Sequence, residues 1–203
     1  TSAGRFSLGI FGVHNVGNAL AAIALAAEML QVRVRDVAPR LASFRGVARR
    51  QQRLLAAGSS SRGVTLYDDF AHHPTAVDAT LRSLRERHRK ARLVAVYEPR
   101  SATACRAMHQ EAYVGSFAAA DVVVLAPLGR STIPENERLD LEKLAAALRA
   151  GGKHVDLAPT YDDVVELTVA HAQSTAREQA TVVVAMSNGS FGGVTARLQE
   201  RLA

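Results

Sequence analysis

The 203-residue sequence has no tryptophan, a single cysteine and three lysines, and only 5% of it is aromatic. One cysteine, Cys105, excludes an internal disulfide and any cysteine-rich zinc site, and it reads as a small helix residue rather than a nucleophile. The shortage of aromatics argues against base stacking. The densest basic run, Arg82-Ser83-Leu84-Arg85-Glu86-Arg87-His88-Arg89-Lys90-Ala91-Arg92, has no ring interleaved and would spread its charges around a helix, so it reads as solvated surface and not as a nucleic-acid patch. The opening, residues 1–5, lacks the charged start, apolar run and small-residue cleavage site of a secretory signal. No stretch of about 18 apolar residues is expected to span a bilayer. A cytoplasmic, reducing setting is therefore the expectation. There is no internal repeat and no low-complexity tract.

What is present suffices for a folded chain. Hydrophobic residues make up 48% of the sequence, enough to bury a core of its own or one domain plus a piece of another. The formal charge of +6 attracts acidic partners, and nucleotides, phosphorylated sugars and carboxylated peptides qualify as well as nucleic acid does. Residues 13–30 are so rich in Ala, Leu and Ile that the predicted helix is apolar around most of its circumference and expects cover on more than one side. A short helix follows, with Asp36 suited to its N-cap, ending before Gly46. Strands are predicted at 51–57 and 63–70, joined by a flexible loop at 58–62.

Beyond Pro74 the pattern alternates regularly. Helices are predicted at 74–90, 103–117, 139–150 and 162–172 and at the carboxyl end to 202, with strands at 93–97, 122–126, 154–157 and 181–186. Such alternation predicts an α/β fold: a Rossmann-like, mostly parallel sheet with helices on both faces, preceded by a β-hairpin. The expected boundary separates residues 1–43, two helices with almost no polar face that cannot close a core alone, from residues 44–203.

Open parallel sheets bind ligands beyond the carboxyl ends of their strands. Unusual polar residues gather there: Asp68, Asp69, His72 and His73; Glu98, Arg100 and Ser101; and Ser187, Asn188 and Gly189. Pro74 keeps His73 out of the helical conformation and opens the next helix, setting both histidines on a bend beside a positive helix end. An Asp carboxylate there can accept ribose hydroxyls, and imidazoles can orient a substrate or relay a proton. A metal site at Asp68, Asp69, His72 and His73 is a second reading, and a strand end with a capping histidine is a third. Arg100, just past a strand, presents a planar fork suited to a carboxylate or phosphate. Glycines at 189, 192 and 193 permit close backbone approach to an anion. The glycine spacing of Gly12 and Gly17 imitates a P-loop, but Asn18 and Ala19 stand where Lys and Ser or Thr are required.

Four motifs together resemble the Mur ligases. His14-Asn15-Val16-Gly17-Asn18-Ala19-Leu20-Ala21-Ala22 is similar to the segment closing their central ATPase domain. Asp68-Asp69-Phe70-Ala71-His72-His73-Pro74-Thr75 is similar to the start of the carboxy-terminal domain in ligases of UDP-N-acetylmuramate. Tyr97-Glu98-Pro99-Arg100-Ser101 and Met186-Ser187-Asn188-Gly189-Ser190-Phe191-Gly192-Gly193 look most like the murein-peptide branch, which joins recycled L-alanyl-γ-D-glutamyl-meso-diaminopimelate to UDP-N-acetylmuramate. Ala102 departs from that branch, where an Asn is expected.

The resemblance implies that ATP, with Mg, activates the muramic carboxylate as an acyl phosphate, which the free amine of the peptide then attacks. It also implies that residues 1–43 are the terminal helices of a truncated ATPase domain, and that the chain is an incomplete enzyme, inactive alone and without the P-loop. No tightly bound cofactor and no metal ligand set of its own are expected. By position it implies nucleotide contacts from His14, Asn18, Arg50 and Asp69, with Asp69 on the ribose and Arg50, rather than Arg49, on a phosphate. Substrate contacts are implied for His72, His73, Arg100, Ser101 and Asn188. Self-association through the helix at 13–30 is a further expectation. The alternatives are a ligase adding L-alanine to UDP-N-acetylmuramate, a metal-dependent phosphoesterase, and a muropeptide-binding module.

Overall fold

The computed structural model describes residues 5–60, 63–130, 132–174 and 179–203. The chain divides into two compact units, Thr1–Ala48 and Arg49–Ala203.

In the first unit, Gly12 at φ +102° turns the chain into helix α1 (Val13–Leu30), which ends at left-handed Gln31. The glycine spacing that imitates a P-loop therefore lies partly within a helix, where Gly17 cannot wrap a phosphate. Only Ala19 and Ile23 of α1 are buried. Val13, Met29 and Leu30 are 77%, 76% and 70% exposed, so the cover that an apolar helix requires is not supplied here. By length and composition α1 could cross a membrane, with a mean hydropathy of 1.3. That amends the expectation that no such stretch exists, although His14, Asn15, Asn18 and Glu28 interrupt it and a buried core helix meets the same test. Helix α2 (Val34–Val37) runs into a 3-10 segment, Ala38–Ser43. Its N-cap is Arg33, not the expected Asp36, which lies in the first turn and pairs with Arg33 Nε at 2.7 Å.

The second unit is a six-stranded sheet. In chain order it comprises β1 (Gln52–Leu55), β2 (Val64–Asp69), α3 (Pro74–Arg87), β3 (Arg92–Tyr97), α4 (Gln110–Ser116), β4 (Val122–Leu125), α5 (Leu141–Ala150), β5 (His154–Leu157), α6 (Tyr161–Gln173), β6 (Thr181–Met186) and α7 (Val194–Leu202). The spatial order is β1-β2-β6-β3-β4-β5, with only β1 antiparallel. A 3-10 turn, Ala57–Ser59, follows β1, and residues 61–62 of the expected loop lie outside the described residues.

The valine-rich β4 and β6 are buried at every position because helices cover both faces, the condition under which parallel strands lose the polar alternation. Each such side chain contributes about 1.5–3 kcal/mol by leaving water. One face packs Val94, Val96, Val122, Val124, Val183 and Ala185 against α6 and α7. The other carries α3, α4 and α5, with Tyr97 stacked edge-on against Phe117.

Two helices are shorter than the sequence suggests. α3 stops at Arg87, where His88 leaves helical geometry and its imidazole meets Tyr67 Oη at 3.0 Å. α4 begins at Gln110, not at 103. Ser101 Oγ accepts from Ala104 N at 3.0 Å, building a turn, and Arg106 bridges to Arg138, so tertiary pairing overrides helix propensity there. Cys105 accordingly sits in a turn, fully buried, its thiol donating to the Pro99 carbonyl at 3.0 Å, and burial pushes its pKa up. The basic run is largely consumed internally: Arg82 pairs with Asp78 at 2.8 Å and Arg85 with Asp121 at 2.6 Å, while Arg92 meets Ser174 Oγ at 2.8 Å.

Candidate functional site

Beyond β2 and β3 the chain turns to the face of α3 and α4, whereas beyond β6, the strand between them, it turns to the face of α7. Divergence of that kind opens a crevice at the carboxyl ends of the strands. Three of the expected segments meet there.

Glu98, at the end of β3, has no exposed surface. Its Oε2 accepts from Ser187 Oγ, and its Oε1 accepts from the Tyr161 hydroxyl and from Arg100 Nη1 at 3.3 Å. A buried carboxylate needs such donors. Burial first, then the charge and hydrogen bond of Glu98, push the Tyr161 hydroxyl up to about 12. The Arg100 side chain is 36% exposed and threads between two glycines. A Cβ at Gly129 would lie 2.8 Å from Arg100 Cγ, and one at Gly189 would lie 2.1 Å from Arg100 Nε. Glu98 thus holds one edge of the guanidinium and leaves donors for an anion. Ser187 Oγ accepts from Gly189 N at 3.0 Å, and the neighbouring Asn188 Oδ1 is buried without a hydrogen-bond partner. Phe191, Gly192 and Gly193 all have positive φ, and Tyr161 packs where a Cβ on Gly192 would sit.

On the β2 side, the His72 carbonyl oxygen lies 2.7 Å from Tyr113 Oη and 2.9 Å from Tyr97 Oη, and the hydroxyls are 2.7 Å apart. Burial raises Tyr97 well above its usual range and pushes Tyr113 up to about 12, so both stay protonated and pin the bend. His72 Nδ1 is 3.0 Å from the Phe70 carbonyl, which can only accept. That leaves Nε2 as the acceptor in the neutral ring. His73 caps α3, its Nδ1 accepting from Thr75 N at 3.3 Å, and its ring meets His109 at 4.7 Å. The capping histidine is therefore realised, beside whatever ligand role His73 holds. Ser101 is committed to the 101–104 turn.

Asp69 is 3% exposed. Oδ2 accepts from Gln51 N at 2.7 Å, and Oδ1 accepts from Ala71 N at 2.7 Å and Thr80 Oγ1 at 3.3 Å. Burial raises its pKa against those donors. The expected ribose contact meets a carboxylate already used to fix the fold. Asp68 is likewise engaged, 3.3 Å from Arg49 Nε. Among the described residues, Asp68, Asp69, His72 and His73 do not bring three ligand atoms close enough to share an ion, so the metal reading finds no geometric support there. Among the described residues, the group of such side chains close enough to share an ion lies elsewhere, at His154, Asp156 and His171.

Arg49 and Arg50 precede β1 rather than lying on it, so strand alternation does not separate them. Arg49 and Gln51 both have positive φ, 59° and 48°, and thrust Arg50 outward between them. Arg49 is spent on Asp68 and, at 2.6 Å, on the Ser187 carbonyl. Arg50 is exposed, its guanidinium resting 5.1 Å from the Phe70 ring centroid, and it is the one with open donors. In the first unit, His14 and Asn18 are exposed, and their i, i+4 spacing puts them on one face of α1.

The sequence reading missed Tyr161, Tyr113 and Gly129, and it weighed Arg49 only as a phosphate ligand, not as the partner of Asp68 and the Ser187 carbonyl. Tyr161 reaches Glu98 across 63 residues, and no local pattern announces such a partner.

Fold and crevice define an open α/β domain with an arginine clamped between two glycines at its switch point. Residues 49–189 match the Mur ligase, glutamate ligase domain. The chain belongs to the Mur ligase family. It is 37% identical over 198 residues to a UDP-N-acetylmuramate–L-alanine ligase of Paraburkholderia xenovorans, covering 95% of this chain and 41% of that protein. It is 34% identical over 199 residues to the UDP-N-acetylmuramate–L-alanyl-γ-D-glutamyl-meso-2,6-diaminoheptandioate ligase of Haemophilus influenzae, covering 95% and 39%. A murein peptide ligase structure from Psychrobacter arcticus superimposes with a TM-score of 0.67 at 31% identity, covering 97% of this chain and 38% of that one. The chain spans about two fifths of the length of the curated relatives it matches.

Proposed function

We propose that residues 49–203 bind the incoming amine substrate of an ATP-dependent, cytoplasmic Mur ligase of peptidoglycan recycling, and that this substrate is the tripeptide L-alanyl-γ-D-glutamyl-meso-diaminopimelate, as in a murein peptide ligase. The observation that carries the reading is Arg100, wedged between Gly129 and Gly189 and held by buried Glu98. A guanidinium fixed on one edge pairs a carboxylate through its other donors, and the tripeptide offers several carboxylates. The buried Asn188 Oδ1 suits a peptide N–H, since leaving it unpaired costs about 1–3 kcal/mol. His72 Nε2, as an acceptor, can take a proton from the attacking ammonium.

When bound, ATP supplies the phosphoryl group that activates the muramic carboxylate. Arg50 has the exposure and free donors for a phosphate, and His14 and Asn18 present one open face of α1 to an adenine. Asp69 acts indirectly, by fixing Gln51 and with it the turn that presents Arg50. Residues 13–30 offer an apolar face to a partner, which is either the rest of a central ATPase domain or a second copy of this chain.

The test is calorimetric titration of the chain with the free tripeptide, beside L-alanine. Saturable tripeptide binding, weakened about 10-fold or more in Arg100→Ala, supports the reading. The similarity to L-alanine ligases favours one alternative: L-alanine binding with no response to the tripeptide would move the assignment to that branch.

A further inference from the structure

Away from the crevice, a second cluster of ligating side chains forms at the opposite end of the sheet. β5 pairs with β4 so that His154 stands opposite Val122 and Asp156 opposite Val124. Both side chains therefore lie on the face where those valines pack against Val164, Val165 and Val169 of α6. α6 returns the chain from the carboxyl end of β5 to the amino end of β6, which brings its last-turn residue His171 back to the start of β5. His171 Nε2 hydrogen-bonds Asp156 Oδ2, and His154 Nε2 is 3.7 Å from the same oxygen. The two imidazoles meet edge to face at 4.8 Å. All three ligand atoms fall within 4.8 Å of one another.

We infer that His154, Asp156 and His171 form a binding site for one divalent transition metal of the zinc class, distinct from the ligase crevice. Two imidazoles and one carboxylate are a donor set that zinc, nickel and copper prefer and that magnesium and calcium do not. Tetrahedral zinc with bonds of about 2.0 Å sets its ligand atoms about 3.3 Å apart, within reach of small side-chain shifts here. The negative end of the α6 dipole lies at His171 and favours a cation. Solvent reaches the cluster past His154, 60% exposed, while His171 is only 13% exposed. Water completes the coordination. A metal ion on His171 Nε2 takes the place of the hydrogen between Nε2 and Asp156, and the neutral ring then carries its proton on Nδ1. The ion would cross-link edge strand β5 to the end of α6, far from the chemistry, which makes it a structural clamp.

The experiment is zinc titration of the whole chain, followed by calorimetry and by NMR of the histidine ring nitrogens, with magnesium as control. One equivalent of zinc should bind, shift the His154 and His171 rings while leaving His73 and His109 unmoved, and raise the melting temperature by about 5 °C or more at saturation. His171→Ala and Asp156→Ala should weaken binding by about 100-fold, at or above the loss that an outer-sphere partner causes. Absence of saturable zinc binding, or ring shifts at His73 and His109 in place of His154 and His171, overturns the proposal. So does undiminished affinity in a folded His171→Ala. The ring shifts of the unmodified chain decide the question even if both variants fail to fold.

Discussion

Arg100 keeps its place through contacts that its own sequence neighbourhood only half discloses. Its position just past a strand was readable, as were Asn188 and the His72-His73 bend, because polar residues at strand ends are conspicuous in a hydrophobic pattern. Gly129, which with Gly189 lets it lie flat, and Tyr161 behind Glu98 were not, since they come from distant segments. Gly189→Ala should displace the guanidinium, because the new Cβ meets the flexible far end of the side chain and not backbone. Thermal stability should change by less than about 1 kcal/mol, while affinity for the tripeptide falls as far as in Arg100→Ala. Unaltered affinity would mean that the glycine does not set the arginine.

His88 gives a second residue-scale prediction. Burial, then the charges of Arg87 and Arg53, hold its imidazole below the usual range. Between that depressed value and the ordinary pKa of about 6.5, the unfolded chain binds more protons than the folded one. Stability therefore increases with pH across this window and is lost as pH falls through it. Urea midpoints between about pH 5 and 7 should show this slope, and His88→Gln should flatten it.

At the scale of elements, the alternation of helix and strand was legible because parallel strands buried on both faces read as valine runs and helices keep their period. The ends were less so. α4 lost its first turns to the bridge between Arg106 and Arg138, a pairing no window of neighbouring residues contains. α6 starts where its capping box lies: Thr160 Oγ1 accepts from Asp163 N at 3.2 Å, and Asp163 accepts from Thr160 N at 3.0 Å. Since Tyr161 is the first residue of that helix, the cap also holds the hydroxyl that meets Glu98. Thr160→Ala should cost about 1 kcal/mol in thermal or urea unfolding. A loss indistinguishable from zero would show that packing alone fixes the helix start.

Taken whole, the molecule has a well-packed α/β unit and a first unit whose long helix lacks, among the described residues, the cover that its near-continuous apolar circumference leads one to expect. The acceptor-binding role of residues 49–203 is the central claim. It is tested most directly by replacing the matching region of the Psychrobacter arcticus murein peptide ligase with residues 49–203 and assaying the chimera, with ATP and UDP-N-acetylmuramate, for which amine it joins. The account predicts tripeptide ligation that Arg100→Ala reduces about 10-fold or more. A folded chimera that incorporates L-alanine and ignores the tripeptide would contradict it.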